Sequence, residues 1–472
     1  MPKTFEYFFR YIFIKSEVIW PNWIIDDMPL YCKEYNNCAN LNIDLFLGTK
    51  EVILINIETI RNNPEKVKAD LARRSDKSPI DDILLMDSNK RGLIHKADTL
   101  RAKRNQISKE LSVLKNKPPQ IIEDMRNVGN EIKNIEFEVK DIEANLNELL
   151  LNIPNLPEES VPYGLDESEN NVIKTVGNPK TYEFATKPHW ELGADLGIID
   201  FKSGVNLSGS RFYVLKGKGA TLQRALIQWM LNYHITEHGY TEVYLPNLVK
   251  KNTAINSGQL PKFSDNMYRD EEDDLWLVPT AEVPLTSLHQ DETIDAETLP
   301  IKYLAHTPCF RREKASAGRD TRGIKRVHQF EKVEMYKLCP PEQSDAELKS
   351  LVENAESICK ALNFHYRIIE LCTGDLGFAA QKTYDLEVWS PGSKEWLEVS
   401  SCSNCGDFQA RRTNIKYKTD KKDKPKFLNT LNGSGLAIPR VLIAILEQNQ
   451  QSDGTINIPE PLRKYTGFDQ IP

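Results

Sequence analysis

Between Thr307 and Glu334 the chain sets arginines, carboxylates and one phenyl ring at spacings that could handle a phosphorylated ligand. Thr307-Pro-Cys-Phe-Arg-Arg-Glu313 ends an apolar run with Arg311 and Glu313 close together. The arginine-dense Gly318-Arg-Asp-Thr-Arg322 follows, and His328-Gln-Phe-Glu-Lys-Val-Glu334 then carries Phe330 and Glu334 on a second strand-like run. Two strands joined by a basic loop would put Arg311, Glu313, Arg326, Phe330 and Glu334 on one surface. A guanidinium grips phosphate, an aromatic face stacks on a base, and carboxylates hold an amine. That inventory suits a nucleotide and an amino acid bound side by side.

Three further stretches carry chemistry. Thr280-Ala-Glu282, after Val278-Pro279, offers a hydroxyl and a carboxylate within one turn, enough to satisfy the donors of an ammonium. Asp385-Leu-Glu-Val-Trp389 and Trp396-Leu-Glu-Val-Ser-Ser401 read as two strands joined by a Pro-Gly turn. Thr430-Leu-Asn-Gly-Ser-Gly-Leu-Ala-Ile-Pro-Arg440 leads into a helix ending near Glu447. A lone arginine or glutamate is commonly a surface ion pair, and Thr-Ala-Glu alone starts many helices. A glycine-rich turn before a buried helix explains Gly433 and Gly435, but not an arginine so soon after them.

These motifs together resemble the class II aminoacyl-tRNA synthetases, and their wording is similar to the seryl-tRNA synthetase family. The resemblance spans residues 55–472. It implies ATP and L-serine as substrates, Mg2+ as cofactor, tRNA(Ser) as acceptor with tRNA(Sec) beside it, and a homodimer built on His238-Gly-Tyr-Thr-Glu-Val-Tyr-Leu-Pro-Asn247. It assigns Arg311 to the α-phosphate and Arg440 to the γ-phosphate, as the catalytic pair. A guanidinium suits both places because it keeps its charge and presents a fork to phosphate oxygens. Glu313 would accept from the adenine amino group, Phe330 would stack under the ring, and Arg326 would lie near the outer phosphates. Arg312, Val327, Val399 and Ser400 complete the implied ATP contacts. Glu398 and Ser401 would hold Mg2+ between phosphates, as hard oxygen ligands suit that ion. Thr280, Ala281, Glu282, Arg311, Glu334, Asn432 and Ser434 would bind serine. One departure stands out. The family wording Ala-Gly-Ser after the glutamate is here Lys314-Ala315-Ser316, which removes a glycine and adds a charge.

The rest of the chain must position these groups. It has 472 residues, 40% hydrophobic and 27% charged, ordinary for a soluble protein of two or three domains. A net charge of −7 does not advertise a nucleic-acid binder, so local charge matters. Asn63-Pro64 reads as a helix start. From Leu93 the positions Leu93, Ala97, Leu100, Arg104, Ile107, Leu111 and Leu114 alternate steps of four and three, a coiled-coil seam. Asn116-Lys-Pro-Pro-Gln120 breaks it. A second seam runs Met125, Val128, Ile132, Ile135, Val139, Ile142, Leu146, Leu149. The expectation is an antiparallel hairpin with arms about 40 Å long at about 1.5 Å per residue.

Residues 90–117 hold nine Lys or Arg against two acids, and 121–149 hold three against eight. The arms could pair electrostatically, or the surplus cations could meet phosphate. The resemblance favours the second, with Lys90, Arg91, Lys96, Arg101, Lys103 and Lys109 as tRNA contacts. After a proline-rich linker from Asn152, short strands mix with helices. The fold expected is α+β: an N-terminal antiparallel helical hairpin, then a class II domain with a mostly antiparallel sheet flanked by helices. The domains divide as 1–51, an unassigned extension, 52–160, the tRNA-binding hairpin, and 161–472, the catalytic domain.

No apolar run is long enough to span a membrane. Eight scattered cysteines make no disulfide framework, so a reducing cytoplasm is expected. Cys402-Ser-Asn-Cys405 lacks the second pair that a zinc site needs, and a packed turn is the simpler reading. Residues 1–51 have no clear period and no cleavage site, with a membrane-surface helix as the alternative. Two rivals remain: a paralogue that activates an amino acid without charging tRNA, and an RNA-binding paralogue without catalysis. The first should lack the hairpin. The second should have lost Arg311, Glu398 or Arg440.

Overall fold

The computed structural model describes residues 57–112, 118–314 and 321–472. The extension read at 1–51, Leu114 and residues 315–320 of the arginine-rich loop lie outside these. Two short helices, α1 (Ile57–Asn62) and α2 (Pro64–Arg73), come first. Pro64 opens α2, where its missing N–H costs nothing. The hairpin follows as α3 (Ile80–Ser112) and α4 (Pro119–Leu151).

Each arm has 33 residues, so the hairpin is about 50 Å long, longer than the heptads alone predict. The extra length is N-terminal to Leu93. There Ile80, Ile83, Leu146 and Leu150 pack with Ile60, Val67 and Leu71 in a small core of their own. Farther out the seam is thinner. Ala97, Leu111, Ile132 and Ile135 are buried, while the residues between them are largely exposed.

The second half is built on an eight-stranded sheet. Its strands in chain order are β1 (Asn171–Val176), β2 (Thr241–Glu242), β3 (Ile301–Phe310), β4 (Gln329–Cys339), β5 (Tyr366–Glu370), β6 (Lys382–Ser390), β7 (Glu395–Asn404) and β8 (Asn429–Ala437). They lie side by side as β1-β5-β6-β7-β8-β4-β3-β2. All neighbours are antiparallel except β2, which pairs parallel to β3.

Three helices cover one face: α5 (Lys218–His238), α6 (Ser344–Ala361) and α7 (Ile438–Gln448). Leu226 and Met230 of α5, Leu351 and Ile358 of α6, and Leu442 and Ile445 of α7 meet Val333, Met335, Leu386 and Val399 of the sheet in the main core. Each such side chain gives about 1.5–3 kcal/mol on burial. Because strand side chains alternate faces, Val333 and Met335 point to this core, and Lys332 and Glu334 to the other side. That other side carries the candidate site. Gly239 ends α5 in a left-handed conformation, φ 68°, which glycine adopts freely. Among the described residues, no helix is long and apolar enough to cross a membrane.

Candidate active site

Two cavities open on the face opposite these three helices, and they join. The inner one, about 210 Å3, is lined by Arg311, Glu313, Arg326, Val327, Phe330, Glu334, Glu398, Ser401, Asn432, Ser434 and Arg440, among others. Residues more than a hundred positions apart converge because β4 lies beside β8 and β8 beside β7. Arg311 leaves the end of β3. Its Nε donates to the Pro279 carbonyl at 3.2 Å, and its guanidinium lies 5.1 Å from the Phe330 ring centroid. Glu313 has φ 50°, and the Arg211 guanidinium donates to its carbonyl at 3.1 Å. Arg440 sits in the first turn of α7. Its Nη1 reaches the Glu398 carbonyl at 2.7 Å and the carboxylate at 3.1 Å.

Glu398 and Ser401 share this wall although they are three residues apart. A β-bulge explains it: Leu386 opposes Ser400 and Glu387 opposes Glu398, so Val399 is an extra residue. Burial acts to raise Glu398, but the charges of Arg440 and then Arg311 outweigh it, and its carboxyl titrates below the ordinary value. Asp385, opposite Ser401, is pushed well up by burial and then by the Glu398 charge. Its Oδ1 is buried without a hydrogen-bond partner. An anionic Glu398 and the Ser401 hydroxyl beside it on the cavity wall are hard oxygen donors of the kind that fits Mg2+.

At the junction of the two cavities is a second acidic cluster. Thr280 Oγ1 donates to Glu334 Oε2 at 2.7 Å, and Lys332 is ion-paired to the same carboxylate. Glu282 Oε1 accepts from Gln409 at 2.6 Å and from Asn432 at 3.1 Å. Burial and then the neighbouring Glu334 push Glu282 up to about 7. Two carboxylates, a hydroxyl and an amide around one small space can hold an ammonium and a hydroxyl together.

Residues 54–157 match the model of the seryl-tRNA synthetase N-terminal domain, and 262–449 match that of the tRNA synthetase class II core domain (G, H, P, S and T). A serine–tRNA ligase of Thermomicrobium roseum is 53% identical over 419 residues, covering 88% of this chain and 94% of the relative. The chain belongs to the seryl-tRNA synthetase family. A serine–tRNA ligase of Roseiflexus sp. is 54% identical over 89% of this chain and 99% of its own. The seryl-tRNA synthetase from Pyrococcus horikoshii, solved in complex with ATP, superposes with TM-score 0.84 at 38% identity, over 88% of this chain and 99% of that one.

Not every residue the family wording points to faces the cavities. Arg312 turns away: its Nε donates to the Met267 carbonyl at 3.0 Å and its guanidinium lies 4.4 Å from the Tyr268 ring centroid. Ala281 and Val399 are fully buried, and Ser400 Oγ donates to the Ser434 carbonyl at 2.6 Å. The side chains of Ala281, Val399 and Ser400 are buried, so any ligand contact there would come through main-chain atoms. Conversely, Lys332 and Gln409 belong to the cluster and were not singled out from sequence. Gln409 lies in the helix Phe408–Thr413, which reads as structural because its partner Glu282 is 127 positions away.

The hairpin cations are divided. Lys90 pairs with Glu143 at 3.1 Å, Lys96 with Glu131 at 2.8 Å and Arg101 with Glu136 at 2.7 Å, all across the arms. Arg91 pairs with Asp87 at 3.1 Å. Lys103 and Lys109 are exposed and hold no ion pair among the described residues. Cross-arm pairing therefore accounts for Lys90, Lys96 and Arg101 and leaves Lys103 and Lys109 outside it.

Proposed function

We propose that this chain activates L-serine with ATP and esterifies it to the 3′ end of tRNA(Ser). The observation that supports this most is the placing of Arg311 and Arg440 on one cavity, with Glu398 and Ser401 on the wall beside them. In the first step a serine carboxylate oxygen attacks the α-phosphorus. The bond to the bridging oxygen breaks, and its electron pair leaves with pyrophosphate. Arg311 faces charge that grows on the α-phosphate, and Arg440 faces the outer phosphates. Glu398 and Ser401 would hold Mg2+, which supplies charge neutralisation of the phosphates when bound. Phe330 offers a face to adenine and Glu313 an acceptor to its amino group. No side-chain nucleophile is required, so positioning and charge stabilisation carry the rate.

Glu282 and Glu334 would take the serine ammonium, and Thr280, Asn432 and Ser434 would surround its small side chain. A site that hydrogen-bonds a hydroxyl rejects the analogue lacking it, because its own polar groups are left unpaired. In the second step a terminal ribose hydroxyl attacks the seryl carbonyl carbon. An ester C–O bond forms, the anhydride C–O bond breaks, and AMP leaves with the electron pair and takes up the hydroxyl proton.

Residues 52–160 act as the arm that docks the tRNA, and 161–472 as the catalytic domain. The reading includes tRNA(Sec) as a further acceptor, a homodimer formed around His238–Asn247, and work in the cytoplasm. Charging assays with labelled serine test it. Serine should appear on tRNA(Ser) in acid-stable, base-labile linkage. A protein that forms adenylate yet leaves every tRNA uncharged would favour the paralogue that lacks the transfer step.

A further inference from the structure

A buried histidine that lines neither cavity reaches the cleft through one backbone amide. His189 opens the short helix His189–Asp195, and Glu447 lies in the last turn of α7, 258 positions later. Both are buried. The Glu447 carboxylate accepts from the His189 N–H at 2.9 Å, the Gly392 N–H at 2.9 Å and the Ser393 N–H at 3.1 Å, and from the hydroxyls of Ser390 and Ser393. Burial acts to raise Glu447, but the hydrogen bonds of His189 and then Ser390 outweigh it, so the group titrates below the ordinary carboxylate value. His189 Nδ1 faces this anion at 2.9 Å, so Nδ1 carries the proton. Nε2 is then bare, and it accepts the Ile324 N–H at 3.1 Å.

That N–H belongs to the returning limb of the arginine-rich loop. Ile324 and Val327 are buried in the main core, Lys325 pairs with Glu395 at 2.7 Å, and Arg326 lines the inner cavity. The limb is gripped on both sides of Gly323. The Arg322 guanidinium lies 4.7 Å from the Trp190 ring centroid, and Ile324 is bound by His189. Gly323 has φ 74°, and a Cβ there would stand 1.9 Å from His189 Nε2. The ring is not free to swing aside, because Glu447 holds its other nitrogen. Imidazole and backbone are in direct contact, with no room for a methyl group between them.

We propose that His189 is a positioning residue for ATP: it pins Ile324 so that Arg326, two residues on, meets the outer phosphates. The proposal rests on the activation reading above, which supplies those phosphates. His189 acts only through the backbone it holds. Arginine binds phosphate with a rigid fork on a flexible stem, so the place of its backbone decides whether the fork arrives squarely. A misplacement of about 1 Å can cost about a hundredfold in rate. Packing alone would be served by any ring of this size. A carboxylate on one nitrogen and a loop amide on the other need a histidine.

The test separates the loop contact from packing. His189→Asn keeps a donor near the Nδ1 position and removes the acceptor, whereas His189→Gln puts an amide oxygen near the Nε2 position. Gly323→Ala attacks the same contact from the loop side and leaves the Glu447 pair alone. ATP with Mg2+ is titrated calorimetrically into each variant, into Arg326→Ala, and into the double variant His189→Asn with Arg326→Ala. His189→Asn and Gly323→Ala should each bind at least about tenfold more weakly than the unaltered protein, and His189→Gln should stay within about threefold of it. Added to Arg326→Ala, His189→Asn should cost no more than about a further twofold, because both changes act on one contact. KM for serine in pyrophosphate exchange at saturating ATP should stay within about twofold throughout. Equal ATP affinity in the Asn and Gln variants, or fully additive losses in the double variant, overturns the proposal and leaves a merely structural histidine. If His189→Asn fails to fold, Gly323→Ala decides, and unchanged ATP affinity there overturns the proposal. Exchange absent from unaltered protein that still binds ATP overturns the activation reading alone, and the ATP titrations still decide the role of His189.

Discussion

Arg440 does two things at once: it lines the cleft and pairs with Glu398. Arg440→Ala should therefore lower exchange by about 10²–10³-fold, the range seen when one charge-stabilising group is removed. Arg440→Lys should recover only part, because an ammonium is a point charge without the fork. Rates measured at saturating ATP distinguish this from a simple loss of ATP affinity. Glu282 gives a pH signature. Its folded value near 7 means it is protonated in much of the free protein below that pH. An ammonium needs the anion, so kcat/KM for serine should fall toward tenfold per pH unit below about 7. Glu282→Gln should give a lower, flatter profile. A wild-type profile that is level from pH 8 to 5.5 would contradict the role.

Residue types alone singled out Arg311, Glu313, Phe330 and Glu334, since a strand–loop–strand reading sets them on one surface. Alternation could not place Glu398 and Ser401 together. The bulge at Val399 re-aims the strand, and a single inserted residue leaves no mark in the periodicity. Gln409 and Lys332 escaped for a different reason. Each acts on a carboxylate through tertiary contact, and a glutamine or lysine in isolation says nothing about that.

At the scale of elements, the heptads of the hairpin were legible and its first thirteen residues were not. Before Leu93 the pattern is interrupted by Asp87, which is buried and bound by Arg61 at 2.6 and 2.7 Å. That carboxylate belongs to the core with α1 and α2, not to the seam. Asp87→Ala removes the buried carboxylate held by Arg61 and Arg91, and should destabilise the N-terminal domain by about 1–2 kcal/mol, because Arg61 is partly exposed and water can take over its charge, as measured by denaturant melting. Charge on the outer arm should act on tRNA alone. Reversing Lys103 and Lys109 to Glu should raise KM for tRNA, flatten its salt dependence and spare pyrophosphate exchange. Deleting 93–149 should spare exchange and abolish charging. Equal loss of both would mean that the hairpin does more than dock.

The whole molecule shows why fold and site differ in legibility. A helical hairpin is local, so its period is written in consecutive residues. The sheet order β1-β5-β6-β7-β8-β4-β3-β2 is not, because it brings Arg311 and Arg440 to one cleft across 129 positions. Family wording bridged that gap where periodicity could not. The outer cavity went unread because the residues that line it alone are uncharged and drawn from several separated loops, with Arg74 holding one of them from another part of the chain. The central claim is that this cleft joins serine to the α-phosphate of ATP. Its most direct measurement is exchange of labelled pyrophosphate into ATP, run with serine, threonine and alanine in parallel. The account predicts brisk exchange with serine, dependent on Mg2+, and none above background with alanine. Exchange that ignores which amino acid is present, or no exchange at all, would contradict it.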